Sequence, residues 1–97
     1  MLIDLKELIK LSGDDLYIHV PKKKDRTPLL KAMDKLGYHW RGWGKLTDED
    51  YWERYKEQTV YNFNKKYRET FFWEYETCQK LGYKVHEVAD IIIKKGE

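Results

Sequence analysis

Apolar residues at the start of the chain recur at helical spacing. Leu2, Leu5, Leu8 and Ile9 fall on one face of a helix predicted over residues 2–11, and Gly13 supplies its stop. The period then changes. "DDLYIHVP" is β-branched and aromatic and ends at Pro21, which predicts a strand. "KKKDR" is a polar turn. Thr27 offers an N-cap hydroxyl and Pro28 a first helical residue, opening a helix with Leu29, Leu30, Met33 and Leu36 on one side. Gly37 is its left-handed cap. A strand follows over residues 38–43. Thr47 stands three residues before Asp50, close to a capping box, and acids precede bases; this predicts a short helix over about residues 48–57. "TVYNFN" and "ETFFW", joined by "NKKYR", read as a hairpin. "EYETCQKLG" is a short helix ended by glycine, and "YKVHEV" is the last strand. "ADIIIKKGE" is either a strand continuation or a docking segment.

An internal echo organises these pieces. "KLGYHW" and "KLGYKV" each close a helix with glycine and open a strand with tyrosine. Two βαβ-like halves would lie side by side in one sheet, with right-handed crossovers where the strands are parallel. The expected fold is α+β: a single mixed sheet of four or five strands with helices mainly on one face. Residues 1–97 form one domain, with an N-terminal helix over 1–13 and a C-terminal tail over 89–97.

Composition changes this picture little but bounds the function. A chain of 97 residues holds one domain, and 15% aromatic residues supply the buried area a small core needs. The single Cys78 excludes an intramolecular disulfide and fits a reducing compartment. No apolar run approaches the ~20 residues of a membrane span, and the start lacks the form of a signal peptide. The expected location is the cytoplasm, with no membrane partner.

Candidate chemistry is sparse. His19, His39 and His86 each stand alone in a predicted strand, without a cysteine or second histidine at metal spacing. Cys78 has no base near it in sequence, and no glycine-rich phosphate loop or nucleophile elbow is present. The paired acids Asp14–Asp15 and Asp48–Glu49–Asp50 sit where turn and helix-start chemistry already explains them. The expectation is a protein that is not an enzyme and uses no cofactor or metal.

The positive signal is basic and aromatic. Lys22, Lys23, Lys24 and Arg26 feed the helix near Pro28, where free N–H groups favour phosphate; the alternative is a solvated lysine turn. In the strand over residues 38–43, Tyr38 and Trp40 face the core, while His39, Arg41 and Trp43 share the other face. Arginine beside tryptophan suits a base plus a phosphate. The alternative packs Trp43 under the next helix, against Trp52 or Tyr55. On that helix Tyr51, Trp52 and Tyr55 form a second aromatic set suited to protein contact.

A strand ending in proline, a helix closing in "LGY", then "WRG", "WERYKEQTVY", a hairpin and "LGYKVHEV" resemble a loose group of small accessory proteins from phages of Gram-positive bacteria. The likeness spans roughly residues 15–90. "WRGWGK" stands where that group has a serine–glycine version of the loop. The resemblance implies a counter-defence setting, in which small proteins act stoichiometrically. Some sequester a nucleotide immune signal, usually as homo-oligomers; others block a host protein. The first expectation is therefore a non-catalytic nucleotide-binding sponge. It would use Lys22 to Arg26 for phosphate, with His39, Arg41 and Trp43 for base or ribose. The second is an inhibitor of a host defence protein, acting through Tyr51, Trp52, Tyr55 and the acids at 48–50. A net charge of +2 argues against a nucleic-acid partner, which needs many unopposed cations.

Overall fold

The computed structural model describes residues 2–94. The helix predicted from residue 2 begins later. A short strand, β1 (Ile3–Asp4), leads into α1 (Leu5–Leu11), because the Asp4 carboxylate accepts from the Lys6 and Glu7 amides and sets the N-cap there. Leu5 and Leu8 are buried, whereas Leu2 falls outside the helix and is exposed. β2 (Asp15–His19) follows, then a 3₁₀ turn (Lys23–Asp25) that runs directly into α2 (Arg26–Lys35). The helix therefore starts before Thr27. Pro28 becomes its third residue, a first-turn position whose amide would lack a helical partner anyway. Gly37 caps the end at φ 93°, as expected.

The next two elements are shorter than predicted. β3 (His39–Trp40) ends after two residues, because Gly42 at φ 93° and Trp43 at φ 75° turn the chain sharply. The Trp43 amide donates to the Trp40 carbonyl, and the Trp40 amide to the Gly44 carbonyl. α3 (Trp52–Tyr55) covers only part of residues 48–57, since Tyr51 and Lys56 adopt positive φ at its two ends. Its N-terminal cap comes from Asp50, whose carboxylate accepts from the Trp52 amide, and not from Thr47. β4 (Thr59–Asn64) and β5 (Glu69–Glu74) form the expected hairpin. α4 (Tyr75–Lys80), β6 (Val85–Glu87) and β7 (Ile91–Ile92) complete the chain. β7 pairs in parallel with β1, so the apolar end docks against the start of the chain in a separate two-stranded sheet. The rest of the predicted tail, residues 95–97, and Met1 lie outside the described residues.

The main sheet is mixed, five-stranded and ordered β3-β5-β4-β2-β6, which fits the α+β expectation. β4 runs antiparallel to its neighbours, and the two edge strands are parallel to theirs. The two βαβ-like halves are interleaved rather than side by side. β2-α2-β3 crosses over β4 and β5, while β5-α4-β6 crosses back over β4 and β2. Crossovers that run in opposite directions share one hand only if their helices lie on opposite faces. That is the arrangement found. Leu29, Leu30 and Met33 of α2 join Leu16, Ile18, Tyr61 and Phe63 in the core, with α1 and Trp52 beside them. Among the described residues α4 is the helix on the other face, where Tyr75 stacks on His19 and Cys78 is fully buried.

Candidate functional site

The face beneath α4 is built differently from the core. Tyr17 stacks on Tyr83 with centroids 4.6 Å apart, and Trp73 meets Tyr83 edge-on. Burial pushes the Tyr17 phenol up to about 12, with Asp15 adding to the rise. Between these rings the Asn62 amide nitrogen donates to Asp15 and to the Leu16 carbonyl, while its oxygen accepts from the Trp73 indole at 3.4 Å. The His19 ring lies between two acceptors, its Nδ1 2.8 Å from the Glu87 carboxylate and its Nε2 2.7 Å from the Glu57 carbonyl. These contacts tie β2 to β6 and to the turn at 56–58, and make His19 a structural residue.

α4 and Tyr83 leave the β3–β5 side of this face open. There the tight turn after β3 brings Trp43 onto His39. Trp43 is 80% exposed and lies flat on the His39 ring, with centroids 4.2 Å apart and planes within 15°. Trp43 therefore does not pack against Trp52 or Tyr55. The His39 Nδ1–H donates to the Trp40 carbonyl at 2.9 Å, which fixes the ring that supports the indole. The Arg41 guanidinium sits over Phe71, with Cζ 5.3 Å from the ring centroid. Beside it a shallow hollow of about 170 Å³ is lined by Trp40, Arg41, Tyr51 and Thr70 to Phe72. Neither His39 nor Trp43 lines this hollow, so a ligand stacked on Trp43 would lie on an open platform and not in an enclosing pocket. Trp40 faces inward as expected, and its indole N–H donates to the Glu49 carbonyl.

The basic loop is not part of this arrangement. Lys23 pairs with Glu53 and Arg26 with Asp50, so acids of the 48–53 segment neutralise half of the predicted cations. Lys22 and Lys24 remain exposed. The loop leaves the end of β2, which lies three strand steps from β3, about 14 Å across the sheet. The predicted phosphate loop and the predicted stacking residues are thus separate features.

The second aromatic set also needs correction. Trp52 is only 9% exposed, and its indole N–H donates to the Val20 carbonyl at 2.8 Å, so it is a core anchor and not a contact residue. Tyr51 stacks on Phe72 at 4.8 Å and Tyr55 lies 5.9 Å from the same ring, both half-buried. Cys78 is buried, and burial raises its thiol, away from the thiolate a nucleophile requires. No group of three metal-ligating side chains occurs among the described residues, nor is any described helix long and apolar enough to cross a membrane.

Phe71 and Trp73 were missed as site residues from sequence. Both read as hairpin strand positions, and the available signal was alternation: in "ETFFW" they share the face opposite Thr70 and Phe72. No family model, curated protein or solved structure matches this chain.

Proposed function

We propose that this chain is a non-catalytic binding protein for a nucleotide-type ligand, held on the open platform of His39, Arg41, Trp43 and Phe71. One observation carries the reading: an indole left mostly in water and backed by a fixed imidazole, two residues along the chain from an arginine resting on an aromatic ring. A base can stack on the free face of Trp43, and Arg41 can swing from Phe71 to a phosphate with a bidentate contact. Trp43 holds a left-handed backbone that costs an L-residue ~1–2 kcal/mol, and such strain concentrates at functional sites. With the resemblance to phage accessory proteins, the role is sequestration of a nucleotide signal in a host cytoplasm, by a homo-oligomer.

Thermal melting against mono-, di- and cyclic nucleotides tests this, with the oligomeric mass recorded in parallel. A ligand at ~100 times its dissociation constant stabilises the native state by ~2.7 kcal/mol, several degrees for a domain this small. Trp43→Ala and Arg41→Ala should each abolish the shift without unfolding the chain. Binding that survives both changes removes the platform from the proposal.

A second reading, a stoichiometric inhibitor of a host defence protein, has its own support. β3 pairs with β5 only at Glu69 and Thr70, so the backbone edge from Phe72 to Glu74 has no strand beside it among the described residues. Tyr51 and Tyr55 flank that edge at Phe72. An extended segment of a partner can add there as a strand. A flat nucleotide panel together with capture of a host protein lost on Phe72→Pro would favour this reading.

A further inference from the structure

A separate cleft of about 350 Å³ opens between the end of α1 and strands β2 and β6. Its floor is apolar, made by Ile3, Leu8, Leu11 and Leu16. Leu11 is 70% exposed, so apolar surface at the cleft lacks a cover. The polar groups around it divide into two kinds. The Ser12 hydroxyl donates to the Ile9 carbonyl, and the Asp15 carboxylate accepts from the Asn64 and Asn62 amides, so both are committed within the fold. The carbonyls of Ile9 and Ser12 at the helix end are capped by the Lys65 ammonium.

Lys84 and His86 are different. Lys84 immediately precedes β6 and His86 lies within it, two residues on, and both line the cleft. Neither makes a hydrogen bond or ion pair among the described residues. The uncommitted polar groups of the cleft are thus cationic or able to become so, set beside a floor of leucine and isoleucine. The volume falls within the ~300–1,000 Å³ of small-molecule sites, which join an apolar lining to a few placed polar groups.

We propose that this cleft binds a small amphipathic carboxylate, with its apolar tail on Leu8, Leu11 and Leu16 and its carboxylate at Lys84 and His86. The tail gains from leaving water, and the anion makes charge-assisted hydrogen bonds to two groups that repel each other when both are charged. Without ligand, burial and then Lys84 hold His86 below its ordinary value, while Asp90 pulls weakly the other way. Of the acids nearby, Asp15 faces the cleft committed to its amides, and Asp4 of β1 pairs with Lys94. A bound carboxylate opposes the influence of Lys84 and favours the protonated ring, so binding takes up a proton and strengthens as pH falls from neutral to mildly acid values.

Calorimetric titration of the full chain with decanoate, below its micelle concentration, tests this, with decanol as the uncharged control. The methyl resonances of Leu8, Leu11 and Leu16 report the place of binding. The expected result is saturable decanoate binding that shifts those methyls, and decanol weaker by about tenfold or more. Lys84→Glu should cut decanoate affinity by at least about tenfold and leave decanol unchanged. Lys84→Ala, which keeps a neutral surface position, guards against misfolding and should show a smaller loss of the same kind. His86→Gln should flatten the pH dependence, and Trp43→Gly should bind decanoate as the wild type does. Equal binding of decanoate and decanol, indifference to both Lys84 variants, or no saturable binding overturns the proposal.

Discussion

The two faces of the five-stranded sheet use the same strands for opposite purposes. On one, Leu16, Ile18, Tyr61 and Phe63 meet α1 and α2 and exclude water. On the other, the intervening Tyr17, His19, Asn62 and Trp73 are joined by ring stacking and hydrogen bonds. The first face is held by area, which is non-directional, so helices close over it wherever apolar surface continues. The second is held by pairwise contacts that end where partners end, and beyond Trp73 the sheet lies open. The prediction with the largest effect tests the closed face. Phe63→Ala removes a ring that is 1% exposed, and should cost ~3–5 kcal/mol in chemical denaturation. A loss below about 1 kcal/mol would mean that this face is not the principal core.

The polar face should answer to a smaller, more selective change. Asn62→Ala strands the Trp73 indole N–H and takes a donor from Asp15, which should cost ~1–3 kcal/mol. Asn62→Leu should cost the same or more, because filling the volume restores no partner for the indole. If leucine instead stabilises the chain, the face is apolar in character and the contrast collapses.

Much of this division was legible in the sequence. Alternation in "DLYIHV" separates Leu16, Ile18 and Val20 from Tyr17 and His19, and helical spacing places Leu29, Leu30 and Met33 on the buried side of α2. Trp40, His39 and Arg41 fell on the faces that alternation assigns. What was illegible depends on residues far apart in the chain. Lys23 and Arg26 read as free cations because Glu53 and Asp50, which neutralise them, lie in a different element. Trp52 and Trp43 are the same residue type in similar polar surroundings. One indole joins the core cluster and reaches the Val20 carbonyl, while the other stacks on His39 and stays in water. The interleaving of the halves was hidden too, since the echo of "KLGY" specifies the order of elements but not which strands they cross.

His86 sharpens the comparison at the edge of the closed face, where it stands opposite Ile18 in register. Burial, followed by Lys84, depresses its folded value, so the folded state binds protons less readily than the unfolded chain. Its contribution is present above the ordinary histidine value and is lost as pH falls below about 6.5. Stability of His86→Gln should therefore decline less than wild type between neutral and mildly acid pH, in parallel urea titrations. Equal slopes would show that this corner is as wet as the open face.

The smallest expected effect on stability belongs to the most exposed ring. Trp43→Gly removes an indole that is 80% exposed and gives a left-handed position, φ 75°, to the residue that adopts it freely. Relief of ~1–2 kcal/mol of backbone strain opposes loss of the His39 stack, worth ~0.5–1.5 kcal/mol at most in a wet setting, and extra entropy in the unfolded chain. The net change should be within about 0.5 kcal/mol of zero. Trp43→Ala keeps the strain and loses the stack, so it should be the less stable of the two. If glycine matches or exceeds wild type in stability while nucleotide binding disappears, Trp43 is retained for what it touches outside the chain. If glycine destabilises by as much as Asn62→Ala, the indole belongs to the fold, and the platform is a structural corner of the polar face.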